Sequence, residues 1–443
     1  MRSMKKGTLT ALDSECCDFT DGTLKMGVGL TEYERSNGVV LLGAAKPEAD
    51  FFFRVPKSEA GDDPDTLYYA SIFGGLYRYD DEWKSWETVY EFGSRIKLVT
   101  AIDRAGVERF LFACDAGVYI LDETGNVSAT AIAKAAPAAC FFQDRVFCAV
   151  EPYTLVYSAP LDPTNFTESI DDGGRVVLPS DKGKIVALLT MKNKLFVFYE
   201  YGISVLEGAG TAREFEIKSV EYNGGKVCGD SVGVCSVGGQ KAFFLATTGL
   251  YVFDGEKARK TCENLLIEQK REGQVCVHAE FDGQYYLSYI HCSGEKRGIC
   301  VNAEREKGYK TFYVCGACVV KGVPLGNFYG RVYTFDCVHG KLLGTYRYTF
   351  SVPDFKFGAE GVKTLQRFTV FGHGEVTVRI GCGARTVEKK LLIPSGQASM
   401  RLGLRGESFD LQIDIGRYTT ITGVEAEFLT VDGEAKRRLY GEN

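Results

Sequence analysis

A chain of 443 residues, 45% of them hydrophobic and 25% charged, can bury one large core and a smaller second one. Its formal charge of −6 is spread without a basic block, with 39 basic and 46 acidic side chains in the first 350 residues and 13 and 12 in the rest. This speaks against a protein that grips nucleic-acid backbones over a long surface.

In chain order, MRSMKKGTLTALDSECC has lysines but no apolar stretch long enough for an export signal. No later run approaches the roughly 18 apolar residues of a membrane span, so a cytosolic origin without membrane contact is expected. In that compartment the 15 cysteines are expected as reduced thiols, small apolar fillers of strands at Cys114, Cys148, Cys228 and Cys276. The sequons at Asn126 and Asn165 are then chance matches. Residues 1–40 read as an extended lead-in with a turn at Asp21-Gly22, a segment suited to donate a strand that closes a fold.

From about residue 41 to 348 one unit returns: an apolar strand, a turn, then Gly, an aliphatic residue, an aromatic and Asp. It reads LYYASIFGGLYRYD from Leu67 to Asp80, RFLFACDAGVYILD from Arg109 to Asp122, and KAFFLATTGLYVFD from Lys241 to Asp254. Looser copies begin at Arg145, Lys194, Gln284 and Arg331. With Leu67, Phe110, Val146, Leu195, Ala242, Tyr285 and Val332 taken as equivalent, the steps run from 36 to 49 residues. A four-stranded blade has that length, so the spacing predicts an all-β chain with a β-propeller of about seven blades. The 29 Phe, 24 Tyr and 51 Gly fit many short strands joined by tight turns. Polar loops at Lys57–Asp65 and Leu161–Arg175 are the places for variable function, and ENLLIEQKRE, Glu263 to Glu272, is the one helical candidate.

Beyond Phe350 strict alternation takes over. Val376, Val378 and Ile380 interleave with Glu375, Thr377 and Arg379; Phe409, Leu411, Ile413 and Ile415 interleave with Asp410, Gln412 and Asp414; Val424, Ala426 and Phe428 alternate with Glu425 and Glu427. Period two means one buried and one wet face, so residues 349–443 are expected to form an antiparallel β-sandwich packed against the propeller.

Few residues assemble into a reactive set. Gly229-Asp230-Ser231-Val232-Gly233 matches the nucleophile-elbow spelling, but a strand pattern follows where a helix should, so a Gly-rich connection is expected. Cys315 and Cys318, with His291, Cys292 and Cys300 upstream, have thiolates at zinc-like spacing without a second close pair, and core thiols are the expectation. Gly208-Ala-Gly210 lacks the third glycine of a dinucleotide loop. Four histidines, His278, His291, His339 and His373, leave little material for general-base chemistry. Asp80, Asp122 and Asp254, which end the repeat, are expected to start turns, and Trp83 and Trp86 to pack in or on a blade. No catalytic, cofactor or metal residue is assigned, and no enzyme activity is expected.

The segment from Ser158 to Gly255 resembles tail proteins of bacteriophages and prophages, the β-propeller proteins of the tail nozzle that stabilise packaged DNA below the portal. The resemblance lies in Ser158-Ala-Pro160 with Asp162-Pro163, in Tyr201-Gly-Ile203 with Leu206 and Gly208, and in the strand ending Gly249-Leu-Tyr-Val-Phe-Asp-Gly255. Cys17 to Lys25 with Gly27 and Gly29 also resembles the opening of such proteins. It implies a structural virion protein without catalytic residues or cofactor, assembled in the bacterial cytoplasm. Its partners are then portal, adaptor or tail-ring proteins and further copies of itself in a ring, without tight direct nucleic-acid binding. Two rivals stand beside it: a receptor-binding or baseplate propeller that reads a cell-surface glycan, and a propeller glycoside hydrolase, which needs converging carboxylates.

Overall fold

The computed structural model describes residues 14–18, 23–32, 49–55, 66–71, 74–80, 82–83, 85–135, 138–169, 172–208, 215–237, 239–265, 267, 276–320, 323–328, 331–336, 347–356, 361–430 and 435–440. Among them regular structure is β throughout, apart from two 3₁₀ turns at Gly229–Ser231 and Glu263–Leu265. Of the helix expected over 263–272, the described residues show a 3₁₀ turn at Glu263–Leu265, with Leu265 and Ile267 drawn into the core between neighbouring blades; 266 and 268–272 lie outside the described residues.

Seven four-stranded antiparallel sheets span 49–91, 96–129, 139–177, 185–220, 233–261, 277–311 and 316–336, blades 1 to 7 in that order. Within blades 1 to 6 chain order is sheet order, and first strands pack together at five of the seven blade junctions, so the first strands wall a central channel. Blade 7 is completed by the N-terminal strand Gly29–Glu32, which pairs antiparallel with Arg331–Asp336 and sets Leu30 opposite Phe335. The first strand of blade 7 packs on that of blade 1, and the ring is closed.

The repeat visible in the sequence is the second and third strands of a blade with their tight turn. Gly117 and Gly249 open third strands at φ values of 130° and 136°, a region that penalises any Cβ. Six of the seven positions taken as equivalent lie on second strands, but Val332 lies on the third strand of blade 7. The second strand there, Val323–Phe328, carries Pro324, Gly326 and Asn327 in place of an aromatic run, so the repeat pattern surfaces only on the following strand. The aromatic excess fills the seams between blades: Phe196 and Phe198 of blade 4 meet Phe253 and Phe244 of blade 5 at ring-centroid distances of 4.9 and 5.3 Å. Phe243 stacks on Tyr285 of blade 6 at 5.2 Å. Each such buried ring contributes about 1.5–3 kcal/mol by leaving water.

The C-terminal sheet folds over itself into two layers. Lys363–Cys382 and Arg385–Gly406 form one long hairpin that runs through both. The hairpin bends where register shifts between Gly372 and Gly374, both at positive φ, and where a Cβ on Gly374 would strike Thr419. Beyond the bend it pairs with Phe409–Ile415, which in turn pairs with Thr349–Phe355; before the bend it pairs with Thr420–Thr430. Val376, Val378, Ile380, Leu411, Ile413, Val424, Ala426 and Phe428 all point into the shared core, as alternation requires. Glu425, expected on the wet face, is buried as well, opposite Thr369 in the pairing. Alternation assigns a face, not what covers it.

Candidate functional site at the propeller axis and the domain seam

The first strands wall the channel, so a charge among their apolar residues sits close to the axis. Arg95, just ahead of the inner strand Ile96–Ile102 of blade 2, forms an ion pair with Asp230, on the 3₁₀ turn that leads into blade 5. Blades three places apart in a ring of seven meet only across the channel, so this pair bridges its mouth. Lys97, two residues on and half-buried, has its ammonium pKa lowered by desolvation, with Glu280 and Asp230 acting the other way. Glu280 and His278 lie on the inner strand of blade 6, with His278 Nδ1 2.7 Å from Glu280 Oε1. Gly233 of blade 5 makes room for that carboxylate, because a Cβ there would collide with it. Tyr285 ties the two sides together: its hydroxyl donates to Ser231 O, and its ring stacks on His278 at 6.1 Å. Among the described residues the axis thus carries mixed charge, with Asp230 facing Arg95 and Glu280 facing His278.

Ser231, at the nucleophile-elbow spelling, is fully buried; its hydroxyl donates to Cys228 O at 2.6 Å and accepts from Leu245 N at 2.7 Å. It holds the 3₁₀ turn and presents nothing to solvent. Asp80, Asp122 and Asp254 begin turns as expected, each Oδ1 accepting two backbone N–H groups within two to four residues. Hydrogen bonds from Thr124 and Asn126 hold the Asp122 carboxyl below its ordinary range. His291 and Cys292 sit on the turn between the second and third strands of blade 6, while Cys300 lies within the third strand and Cys315 on the link to blade 7. No group of three or more His, Cys, Asp or Glu among the described residues is placed to hold a metal, and the Cys318 side chain is outside them. His373 is exposed on the sandwich, Gly208 stands at φ 118°, and His339, Gly210 and the loop 57–65 are outside the described residues. Trp83 is exposed on a turn, and Trp86 packs edge-on against Tyr79 at 5.1 Å.

The long loop between the third and fourth strands of blade 3 is held by one buried cation. Arg145 Nη1 donates to Ser158 O at 2.8 Å and to Asp172 O at 2.5 Å, and its guanidinium lies over the Tyr157 ring at 5.2 Å. Ser158, also buried, accepts from Val146 N at 3.0 Å. The long loop after Pro160 is thereby pinned to blade 3.

The second notable feature is the seam between propeller and sandwich. Ser14 and Glu15 pair with Phe350 and Thr349, Cys17 and Asp18 pair with Met26 and Lys25, and Leu24 pairs with Ile421, all within the sandwich sheet. Four residues beyond Lys25, the same segment enters blade 7. Cys16, at φ 56°, is buried in the propeller core, and its neighbour Cys17 is buried in the sandwich core. Cys16 N donates to Lys310 O of blade 6 at 3.0 Å, Gly27 N donates to Cys16 O at 3.0 Å, and Val28 N donates to the Tyr309 hydroxyl at 3.0 Å. Tyr348 packs against both cores. Sequence reading foresaw a donated strand but not this double role, whose one visible signal was the adjacent pair Cys16-Cys17. The axis charges were also missed; Lys97 in an apolar strand and Glu280 in VHAEF were the available signals.

No protein-family model matches the chain, and no curated protein matches it. Among solved structures it is similar to the WD40 β-propeller domain of Doa1, at 11% identity over 72% of this chain and 99% of that one, TM-score 0.44. It is also similar to the β-propeller domain of Myceliophteria thermophila Cps50 (Swd1), at 14% identity over 70% and 99%, TM-score 0.43. A third is the extracellular domain of the hybrid two component system BT4673 from B. thetaiotaomicron, at 9% identity over 94% and 60%, TM-score 0.44.

Proposed function

We propose that this chain is a structural component of a phage or prophage tail, a subunit of the nozzle or adaptor ring that retains packaged DNA beneath the portal. The observation that supports this best is the seam: one segment completes the sandwich sheet and the seventh blade, so a load on either domain falls on hydrogen-bonded strands rather than on a linker. A closed propeller adds rigidity and hides strand edges. A mildly acidic surface lets DNA slide past instead of sticking. At the axis, Asp230 faces Arg95 and Glu280 faces His278, an arrangement that suits a stiff, closed hub.

The test is deletion of the gene in an inducible lysogen. The reading expects heads that package DNA and then lose it, with the genome left open to nuclease. Particles that keep their DNA but fail to adsorb would transfer the chain to receptor binding. Undiminished infectious particles would remove it from the virion altogether.

A further inference from the structure

We propose that Cys228 and Cys276 form an oxidation-closed staple between blades 5 and 6. The inference is independent of the virion reading. Cys228 lies on the connection into blade 5, and Cys276 immediately precedes the inner strand Val277–Phe281 of blade 6. Their sulfurs are 3.3 Å apart as thiols. A disulfide requires a separation of about 2.05 Å, within reach of small side-chain rotations. The Cys228 backbone is fixed on both sides, its N–H donating to Leu245 O at 2.9 Å and its carbonyl accepting from Ser231 N at 3.1 Å.

Neighbouring thiols do not compete. The Cys235 S–H is directed at Gln284 O at 3.5 Å, and burial raises its pKa. Burial likewise pushes the Cys262 thiol up to about 12, and its S–H points to Glu306 O at 3.7 Å. Cys228 is only half-buried, so a small oxidant reaches it before the buried Cys276. With a peroxide as oxidant, the Cys228 thiolate attacks the O–O bond, becomes a sulfenic acid and releases hydroxide, which takes up a proton as water. Cys276 then displaces the sulfenic hydroxyl, and a second water leaves. In sum two thiols are oxidised, one peroxide is reduced to two waters, and one S–S bond forms. The closed loop contains all of blade 5, whose strands span 233–261, and pins it to blade 6.

The experiment uses the full chain, purified under reductant and then exposed to hydrogen peroxide. Intact mass is expected to fall by about 2 Da, reversibly with reductant, and peptide mapping without reduction is expected to recover a Cys228–Cys276 link. C228S and C276S should abolish the mass change, and C235S should keep it. The thermal midpoint of the oxidised parent should rise by several degrees, and that of oxidised C228S should not. Recovery of both cysteines as alkylated thiols after peroxide, or of a link from Cys228 to Cys235, overturns the proposal. Should a variant fail to fold, the peptide map of the parent decides alone.

Discussion

Replacing Gly27 by Ala is expected to unlatch the N-terminal segment from the propeller. A Cβ at this position comes within 2.5 Å of Tyr309 Cε2 and 2.6 Å of Cys16 O, one a ring packed in the core and the other backbone. Carbon contacts settle near about 3.5–4.0 Å, so one wall must move. Overpacking of this kind costs about 1–3 kcal/mol, and loosening the bond from Val28 N to the Tyr309 hydroxyl adds about 1 kcal/mol. The sum, about 2–4 kcal/mol, raises the opening equilibrium of the segment about 30- to 1000-fold. Hydrogen exchange read on peptides covering 24–32 measures that factor directly, with the second strand of blade 5, Lys241–Ala246, as an internal reference. Gly403→Ala, where a Cβ meets open space, should leave exchange unchanged. Tyr309→Phe should produce a smaller acceleration. Parental exchange at 24–32 in Gly27→Ala would refute the claim that this glycine seats the strand.

Gly233→Ala should displace the Glu280 carboxylate and break its contact with His278, costing about 1–3 kcal/mol in urea unfolding; a neutral result would mean that Glu280 has room to turn away. Arg95→Met should cost no more than about 1 kcal/mol, since the pair with Asp230 is partly exposed, and the cost should shrink in high salt. A salt-insensitive loss would count against it. Lys194 and Lys218 hold the Glu207 carboxyl at about 2. A depressed carboxylate stabilises above its unfolded pKa and loses that contribution as pH falls through the folded value. Glu207→Gln should therefore lower the urea midpoint at pH 7, with the difference fading as pH falls from the usual Glu range towards 2.

Much of the propeller was legible because second and third strands carry long aromatic runs and a turn that only glycine tolerates, as at Gly117 and Gly249. Blade 7 was read one strand late because Pro324 and Gly326 dilute its second strand, and its fourth strand lies some 300 positions earlier in the chain. The sandwich core followed from alternation, since Val376, Val378 and Ile380 need only their own spacing to declare a face. Burial of Glu425 depends on what packs over it, which spacing does not encode. The axis pair of Arg95 and Asp230 joins residues 135 positions apart, and only ring closure brings them together.

The proposed role is tested most directly by quantitative mass spectrometry of density-banded particles from an induced culture, measuring this chain against the portal protein. A tail-ring subunit must appear in a constant ratio to portal that corresponds to whole rings, preparation after preparation. Absence of the chain from the particles, with all of it recovered in the soluble fraction, would contradict the account.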